Sequence, residues 1–273
     1  MRKNNAILLS TPYIVFMVIF TLIPLGVVAY YALTDPLTGA FSLGNLADLG
    51  MYWGVLWDSI LYSLISALIC LLLGYPVAYF IAHQGAVTQK ILYMLVMLPM
   101  CMSFLLRTLA WVGLLQDTGI INDILAAIGI GRQQLIRTPG AVVLGMVYNY
   151  LPYMILPLYS TIVKINPRLI EAAEDLGCNS VQVFSKVVLP LSVPGILSGI
   201  TMVFVPAVST FYISQKLGSP GTILIGDVIE SQFKAAYNPN LGAALSLVLM
   251  VLVFVCTGIM NRFGADEEGG VIA

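Results

Sequence analysis

The sequence predicts an all-α integral membrane protein with six transmembrane helices, and three observations carry that reading. Of its 273 residues, 59% are hydrophobic and only 9% are charged, against roughly 25% charged in a typical soluble domain. Six stretches reach the roughly 20 apolar residues that a helix needs to cross the hydrocarbon core of a bilayer. One charged, amphipathic stretch, EAAEDLGCNSVQVFSKVVLP at Glu171–Pro190, interrupts them. An ordered polar segment among spans reads as a surface that meets a soluble partner.

The first span is expected over Ala6–Leu33. Arg2 and Lys3 before an apolar run imitate a secretory signal. The run is longer than a signal's apolar region and has no A-x-A site before the next polar stretch, so it reads as an uncleaved span. Residues 1–56 then form a first helix and an outer loop. The other spans are expected at Ile60–Ala82, Ile91–Leu115, Gly140–Val163, Val187–Ile213 and Leu241–Arg262, within a core of residues 57–262. Pro24, Pro99, Pro157 and Pro206 fall inside spans, where neighbouring helices can satisfy the carbonyls a proline frees. Each marks a kink, useful where a bundle must rock but also simply tolerated by membrane helices. Two connections can hold short helices: Asp117–Thr138 through INDILAAIGI, and Ser214–Asn240 through ILIGDVIESQF, which lies between two turns. Residues 263–273 have the composition of a disordered tail.

Orientation follows from the distribution of Lys and Arg. With the N-terminus in the cytoplasm, the inner segments carry Arg2, Lys3, Lys90, Lys164, Arg168, Lys186 and Arg262. The outer ones carry Arg132, Arg137, Lys216 and Lys234, and Arg107 lies within the third span. Both termini and the 164–190 segment are therefore expected on the cytoplasmic side of the cell membrane. The rest of the inventory excludes several chemistries. A net charge of −1 offers no basic field to nucleic acid. Cys70, Cys101, Cys178 and Cys256 are scattered with no C-x-x-C pair, and the single histidine, His83, sits at a span end. No metal site can be assembled from these residues.

The polar segment carries its own local instructions. Asn166-Pro167 starts a helix, with Asn as N-cap and Pro at the first helical position. Leu169, Ala172, Ala173 and Leu176 recur at i, i+3, i+4 and i+7 as one apolar face, with Glu171, Glu174 and Asp175 covering the remainder. Gly177 suits the left-handed residue past a helix C-terminus. Asn179 and Gln182 have the spacing of a capping box for a second helix, and Pro190 marks entry to the fifth span. The expected product is two short helices bent at a glycine on the membrane surface.

The order Glu171-Ala172-Ala173, three residues, Gly177, nine residues, Val187, one residue, Leu189-Pro190 resembles the EAA loop of binding-protein-dependent ABC importer permeases of type I. The resemblance implies the type I permease fold. It also implies that Glu171, Ala172, Ala173, Gly177, Leu189 and Pro190 couple the chain to an ATPase subunit. The partners it implies are a second similar permease, an ATPase pair holding ATP and magnesium, and an external substrate-binding protein. No G-x-x-x-x-G-K-[ST] loop occurs in the sequence, which places nucleotide elsewhere and makes this chain a non-catalytic subunit. LGYPVAYFIA (Leu73–Ala82), LLRTLAW (Leu105–Trp111), LPLYSTI (Leu156–Ile162) and PAVSTFYIS followed by ILIGDVIESQF further resemble the PotB-type permeases of spermidine/putrescine importers. That resemblance runs from about Trp57 to Arg262 and implies a polyamine cargo.

A polyamine is a flexible chain of ammonium groups, which calls for carboxylates or carbonyls at intervals and for aromatic faces. Asp35, Asp48, Asp58, Asp117, Asp123, Asp227 and Glu230 on the expected outer side would concentrate such a cation. Phe211 and Tyr212 are either an aromatic gate or members of the interfacial aromatic belt. By the same resemblance an acidic residue is expected shortly after this pair, and Gln215 stands there. Either Asp227 or Glu230 takes that role, or the cargo differs. Arg107 would repel a cation in its path, so it is expected to snorkel outward or to pair with an acidic residue of another span or subunit.

Two other function classes compete. An ion-driven secondary transporter calls for ionisable residues near the bilayer midplane and for inverted repeats, but only Arg107 lies clearly within a span and no repeat is evident. An intramembrane enzyme needs a Ser–Lys, Ser–His or paired-Asp arrangement at membrane depth, and the spans hold no paired carboxylates. Within the leading class, metal ions, oxyanions or other small solutes are the alternative cargoes.

Overall fold

The structure, a computed structural model, describes residues 12–35 and 39–268. Arg2, Lys3 and the start of the first expected span lie outside the described residues. Helices make up the regular structure among the described residues, apart from one isolated antiparallel bridge between Thr34 and Phe41. Six helical stretches among those residues are long and apolar enough to cross a membrane: Pro12–Ala32, Gly44–Ala82, Phe104–Ala127, Pro139–Ile162, Ser180–Val208 and Pro239–Met260. The chain divides into two compact units, residues 1–54 with 228–252, and residues 55–227 with 253–273.

In the first unit a π turn at Val18–Leu22 leads into α1 (Ile23–Ala32). A helix end leaves carbonyls without intrahelical partners, and here two asparagines satisfy them from a distance. Asn240 donates through Nδ2 to Tyr31 O at 3.0 Å and Thr34 O at 2.7 Å. Asn45 donates to Ala32 O at 3.3 Å and Thr34 O at 2.9 Å. Ala32, Ala243 and Ala244 pack together beneath this cap, with Val28, Leu46, Leu49 and Leu247 around them.

The second unit is built from α2 (Trp53–Ala82), α3 (Ala86–Met97), α4 (Phe104–Leu115), α5 (Ile120–Ala127), α6 (Pro139–Ile162), α7 (Pro167–Asp175), α8 (Ser180–Val183), α9 (Leu189–Val208) and α10 (Tyr212–Leu217). Two further helices, α11 (Ile225–Lys234) and α12 (Pro239–Glu268), complete the chain. Of the six candidate spans α6 is the most buried, and Met146, Met154 and Leu158 on it are fully enclosed. Small residues let helices approach closely without a hydrophobic drive between them. A Cβ at Gly195 of α9 would stand 2.6 Å from Thr161 Oγ1 and 3.1 Å from Pro157 O, and one at Gly199 would stand 2.6 Å from Met154 Sδ. Polar ties lock the same core. Tyr75 Oη and Ser192 Oγ lie 2.8 Å apart, and Ser59 Oγ accepts from Ile225 N at 2.7 Å.

Three boundaries differ from the sequence expectation. The third span, expected as one helix over Ile91–Leu115, is two. After α3 the chain tightens to a 3-10 turn at Leu98–Cys101, Met102 is extended (φ −87°, ψ 149°), and α4 begins afresh at Phe104. Pro99 brings no N–H to the ladder, and the extended pair Met102–Ser103 ends it. The fifth span closes at Val208 rather than Ile213, with Thr210 N donating to Ala207 O and Phe211 at a non-helical φ of −132°. Finally, α12 stays helical through Glu268, into the segment expected to be a disordered tail. Ala, Asp and Glu extend an existing helix at little cost, because propagation is far easier than nucleation. Residues 269–273 lie outside the described residues.

Candidate functional site

Two regions of the second unit carry the sequence-derived candidates other than Glu230, which belongs to the first unit, and α6 separates them by its 24 residues, roughly 36 Å at 1.5 Å per residue. The first is the segment after α6. Asn166 Oδ1 accepts from Arg168 N at 3.1 Å, and Pro167 occupies the first turn, so α7 starts where its cap requires. At the other end Cys178 N donates to Ala173 O and Gly177 N to Glu174 O, the paired bonds of a Schellman closure. That closure needs a left-handed residue, and Gly177 has φ +83°. Asn179 and Gln182 then exchange side-chain to backbone bonds at 2.9 and 3.0 Å, which opens α8. A π turn at Phe184–Val188 carries α8 into α9 without a break, so Leu189 and Pro190 are the first residues of a span continuous with the polar segment.

The face of α7 that packs inward is narrower than the apolar pattern suggests. Ala173, Val183 and Val188 form a small core with Ile170, Phe184 and Tyr79. Leu169, at 48% exposure, and Leu176, at 86%, stay outside it, as does Ala172. Val181 on α8 is 74% exposed, and Glu171 is also exposed. The helix is therefore closed at both ends and anchored along one edge, yet shows an apolar stripe at i, i+3 and i+7.

The second region lies at the opposite end of α6, where Ile213 and Leu217 of α10 press against Gly145. Phe211 is the N-cap of α10 and Tyr212 its first residue. Tyr212 comes within 6.3 Å (ring centroids) of Phe104, which stacks 6.5 Å from Tyr150, itself 6.4 Å from Tyr153. The ammonium of Lys216 sits 5.7 Å from the Tyr212 ring centroid, so this ring already carries a cation–π contact. Phe104, Tyr150 and Tyr153 were not singled out from sequence, since α4 and α6 meet only in the fold. Lys216, four residues after Tyr212, had a readable signal in its helical spacing.

The carboxylates are engaged locally. Asp227 Oδ2 accepts from Leu224 N at 2.9 Å, bonding the N-terminus of α11, and Glu230 pairs with Lys234 at 2.6 Å, one turn on. Gln215 is exposed on α10. Arg107 does not snorkel. It is 6% exposed, and its Nε and Nη1 have no hydrogen-bond partner among the described residues, nor has Oδ1 of Asn149. Asn149 spends its amide on Gly145 O and Thr108 Oγ1. Among the described residues Arg107 makes no ion pair. His83 Nδ1 donates to Tyr79 O at 2.8 Å in an exposed position.

Comparison with known proteins follows this architecture. Residues 74–265 match the family of binding-protein-dependent transport system inner membrane components. The spermidine/putrescine transport system permease protein PotB of Haemophilus influenzae is 40% identical over 78% of this chain and 75% of its own length. Its namesake in Escherichia coli is 37% identical over 78% and 79%. Among solved structures, a bacterial ABC transporter involved in the import of the acidic polysaccharide alginate superposes with a TM-score of 0.81, covering 97% of this chain and 96% of that one at 18% identity, and so shares the fold. The sequence match, the six apolar helices and the shared fold agree: this chain belongs to the binding-protein-dependent transport system inner membrane components, as a non-catalytic, multi-pass permease subunit of an ABC importer.

Proposed function

We propose that this permease passes polyamines and is driven by an ATPase that docks on α7. The observation that carries the coupling is the exposed stripe of Leu169, Ala172 and Leu176 on a helix capped at both ends. A rigid helix with an uncovered apolar edge fits a groove on a soluble partner, the helix-in-groove mode of recognition. Glu171, Ala172, Ala173 and Gly177 form or close that helix, the chain turns at Gly177 into α8, and α8 runs without a break into the span that Leu189-Pro190 begin. Ala173 of α7 packs on Val183 and Val188, so a push on α7 is carried by side-chain contact to the root of α9, and α9 is wedged against α6 at Gly195 and Gly199. In this reading both termini and α7 face the cytoplasm, ATP and magnesium sit on the ATPase pair, and a second permease completes the path. An external binding protein delivers the cargo to the α10 end.

The polyamine cargo is supported by the 37–40% identity to spermidine/putrescine permeases. The aromatic cluster of Phe104, Tyr150, Tyr153 and Tyr212 offers ring faces of the kind an ammonium chain uses, Lys216 lying against the Tyr212 ring. Phe211, Gln215, Asp227 and Glu230 are the further candidates along the path. Gln215 supplies amide dipoles where a charge was expected, and Asp227 is partly committed to the start of α11.

The test is spermidine uptake by the assembled transporter in proteoliposomes, with putrescine, an amino acid and a sugar as comparators. Spermidine-dependent ATP turnover with uptake is expected, and Glu171→Lys should abolish ATP-driven uptake while the complex still inserts. ATP-driven uptake of another solute alone would overturn the cargo, and full uptake by the Glu171→Lys variant would overturn the coupling role.

A further inference from the structure

At the α10 end of the second unit lies an open cavity of about 550 Å³, walled by the end of α4, the connection from α4 to α6, and α10. Its charged and amide lining is Gln116, Asp117, Gln134, Arg137, Gln215 and Lys216, with Thr118 beside them. The walls are built. Asn122 donates to Gln116 O at 3.1 Å and accepts from Gln133 N at 2.9 Å, which pins the connection against the end of α4. Arg137 N donates to Leu217 O at 2.9 Å, which pins its far side to α10. Gly218 admits no side chain, because a Cβ there would stand 2.5 Å from Ser214 O. Arg137 itself holds φ at +59°, a conformation an L residue keeps only where its surroundings impose it.

The cavity's charge does not suit the proposed cargo. Two cations, Arg137 and Lys216, face one carboxylate, Asp117, and none of the three makes an ion pair among the described residues. Three glutamine amides add further donors. A polyamine would meet repulsion here, which sets Gln215 at the edge of the cargo path rather than on it, whereas a carboxylate would meet a guanidinium, an ammonium and amide N–H groups from several sides. All of these polar residues are exposed.

Resting on the importer reading above, we propose that this cavity is the socket into which the external binding protein inserts an Asp or Glu side chain when it docks. The cargo thus travels along the aromatic cluster while its carrier is held beside it by opposite charge. Rim charges of this kind set encounter rate and register, and their effect is screened by salt.

The experiment uses the assembled transporter in nanodiscs with the binding protein that stimulates its ATP turnover. The binding protein's Kd is measured at two ionic strengths for wild type, Arg137→Glu, Lys216→Glu and Arg137→Lys. The two charge reversals should weaken binding by on the order of tenfold at low salt and flatten its salt dependence, while Arg137→Lys stays close to wild type. A Lys introduced at the facing Asp or Glu of the binding protein should restore affinity to the reversed variants. Unchanged Kd in both reversals would overturn the socket, and so would an altered KM for spermidine with unchanged docking, which would mark a cargo site instead. Should Arg137→Glu fail to assemble, Lys216→Glu alone decides. Absence of stimulation by any binding protein in the wild-type complex would defeat the importer reading itself, and is thereby told apart from failure of the socket.

Discussion

Replacing Leu176 with alanine separates docking from folding. The side chain is 86% exposed, so the permease alone loses almost nothing on truncation. If the stripe enters a groove on the ATPase, that surface leaves water on assembly. Leu→Ala removes three carbons, worth about 2.4 kcal/mol at about 0.8 kcal/mol per buried CH₂. Scaled by the 86% of the residue that is still exposed, about 2 kcal/mol remains to be lost. This corresponds to a roughly 30-fold weaker association per docking site. The assay titrates the purified ATPase subunit onto nanodiscs holding the permease pair, and compares Kd with the thermal midpoint of the permeases alone. Leu169→Ala, with 48% exposure, should show about half that free-energy effect. Equal Kd values for wild type and Leu176→Ala would refute the reasoning. A fall in the permease's own midpoint that matched the loss of affinity would refute it too, since the contact would then be internal.

Gly177→Ala and Gly177→Pro should differ in degree. No atom lies within 4 Å of a Cβ at Gly177, so alanine meets only the cost of a left-handed backbone, about 1–2 kcal/mol. Proline cannot adopt φ +83° and also deletes the donor to Glu174 O, and ATP-driven uptake with Gly177→Pro should vanish while membrane insertion persists. At the α6–α9 contact, Gly195→Val should lower stability in detergent by roughly 1–3 kcal/mol through overpacking against Thr161 and Pro157 O, read as a fall in thermal midpoint. In the first unit, Asn240→Leu removes the side-chain amide donor to Tyr31 O, while Thr34 O keeps its bond from Asn45. A loss of about 1–3 kcal/mol is expected from the one carbonyl deprived of its side-chain amide donor, measured by thermal unfolding of the solubilised chain.

The sequence by itself determined whatever depends on composition or on a few neighbouring residues. Six spans follow from long apolar runs, because bilayer thickness sets a length that composition alone can meet. The caps at Asn166, at Gly177 and at Asn179–Gln182 were legible because each bond spans at most five residues along the chain. Only the tertiary structure decided which residues meet across distances in sequence. A hydropathy run cannot register the two extended residues, Met102 and Ser103, that break the third span. Helical periodicity grouped Leu169, Ala172, Ala173 and Leu176, but packing by Val183 and Val188 selected Ala173 and left the leucines bare. Burial of Arg107 and the bond from Asn149 to the adjoining Thr108 depend on how α4 meets α6, as does the approach of Phe104 to Tyr150. The socket needs the 116–138 connection folded onto α10, through a bond from Arg137 N to Leu217 O that spans eighty residues. Such contacts arise from side-chain fit between helices, and local spacing carries no record of it.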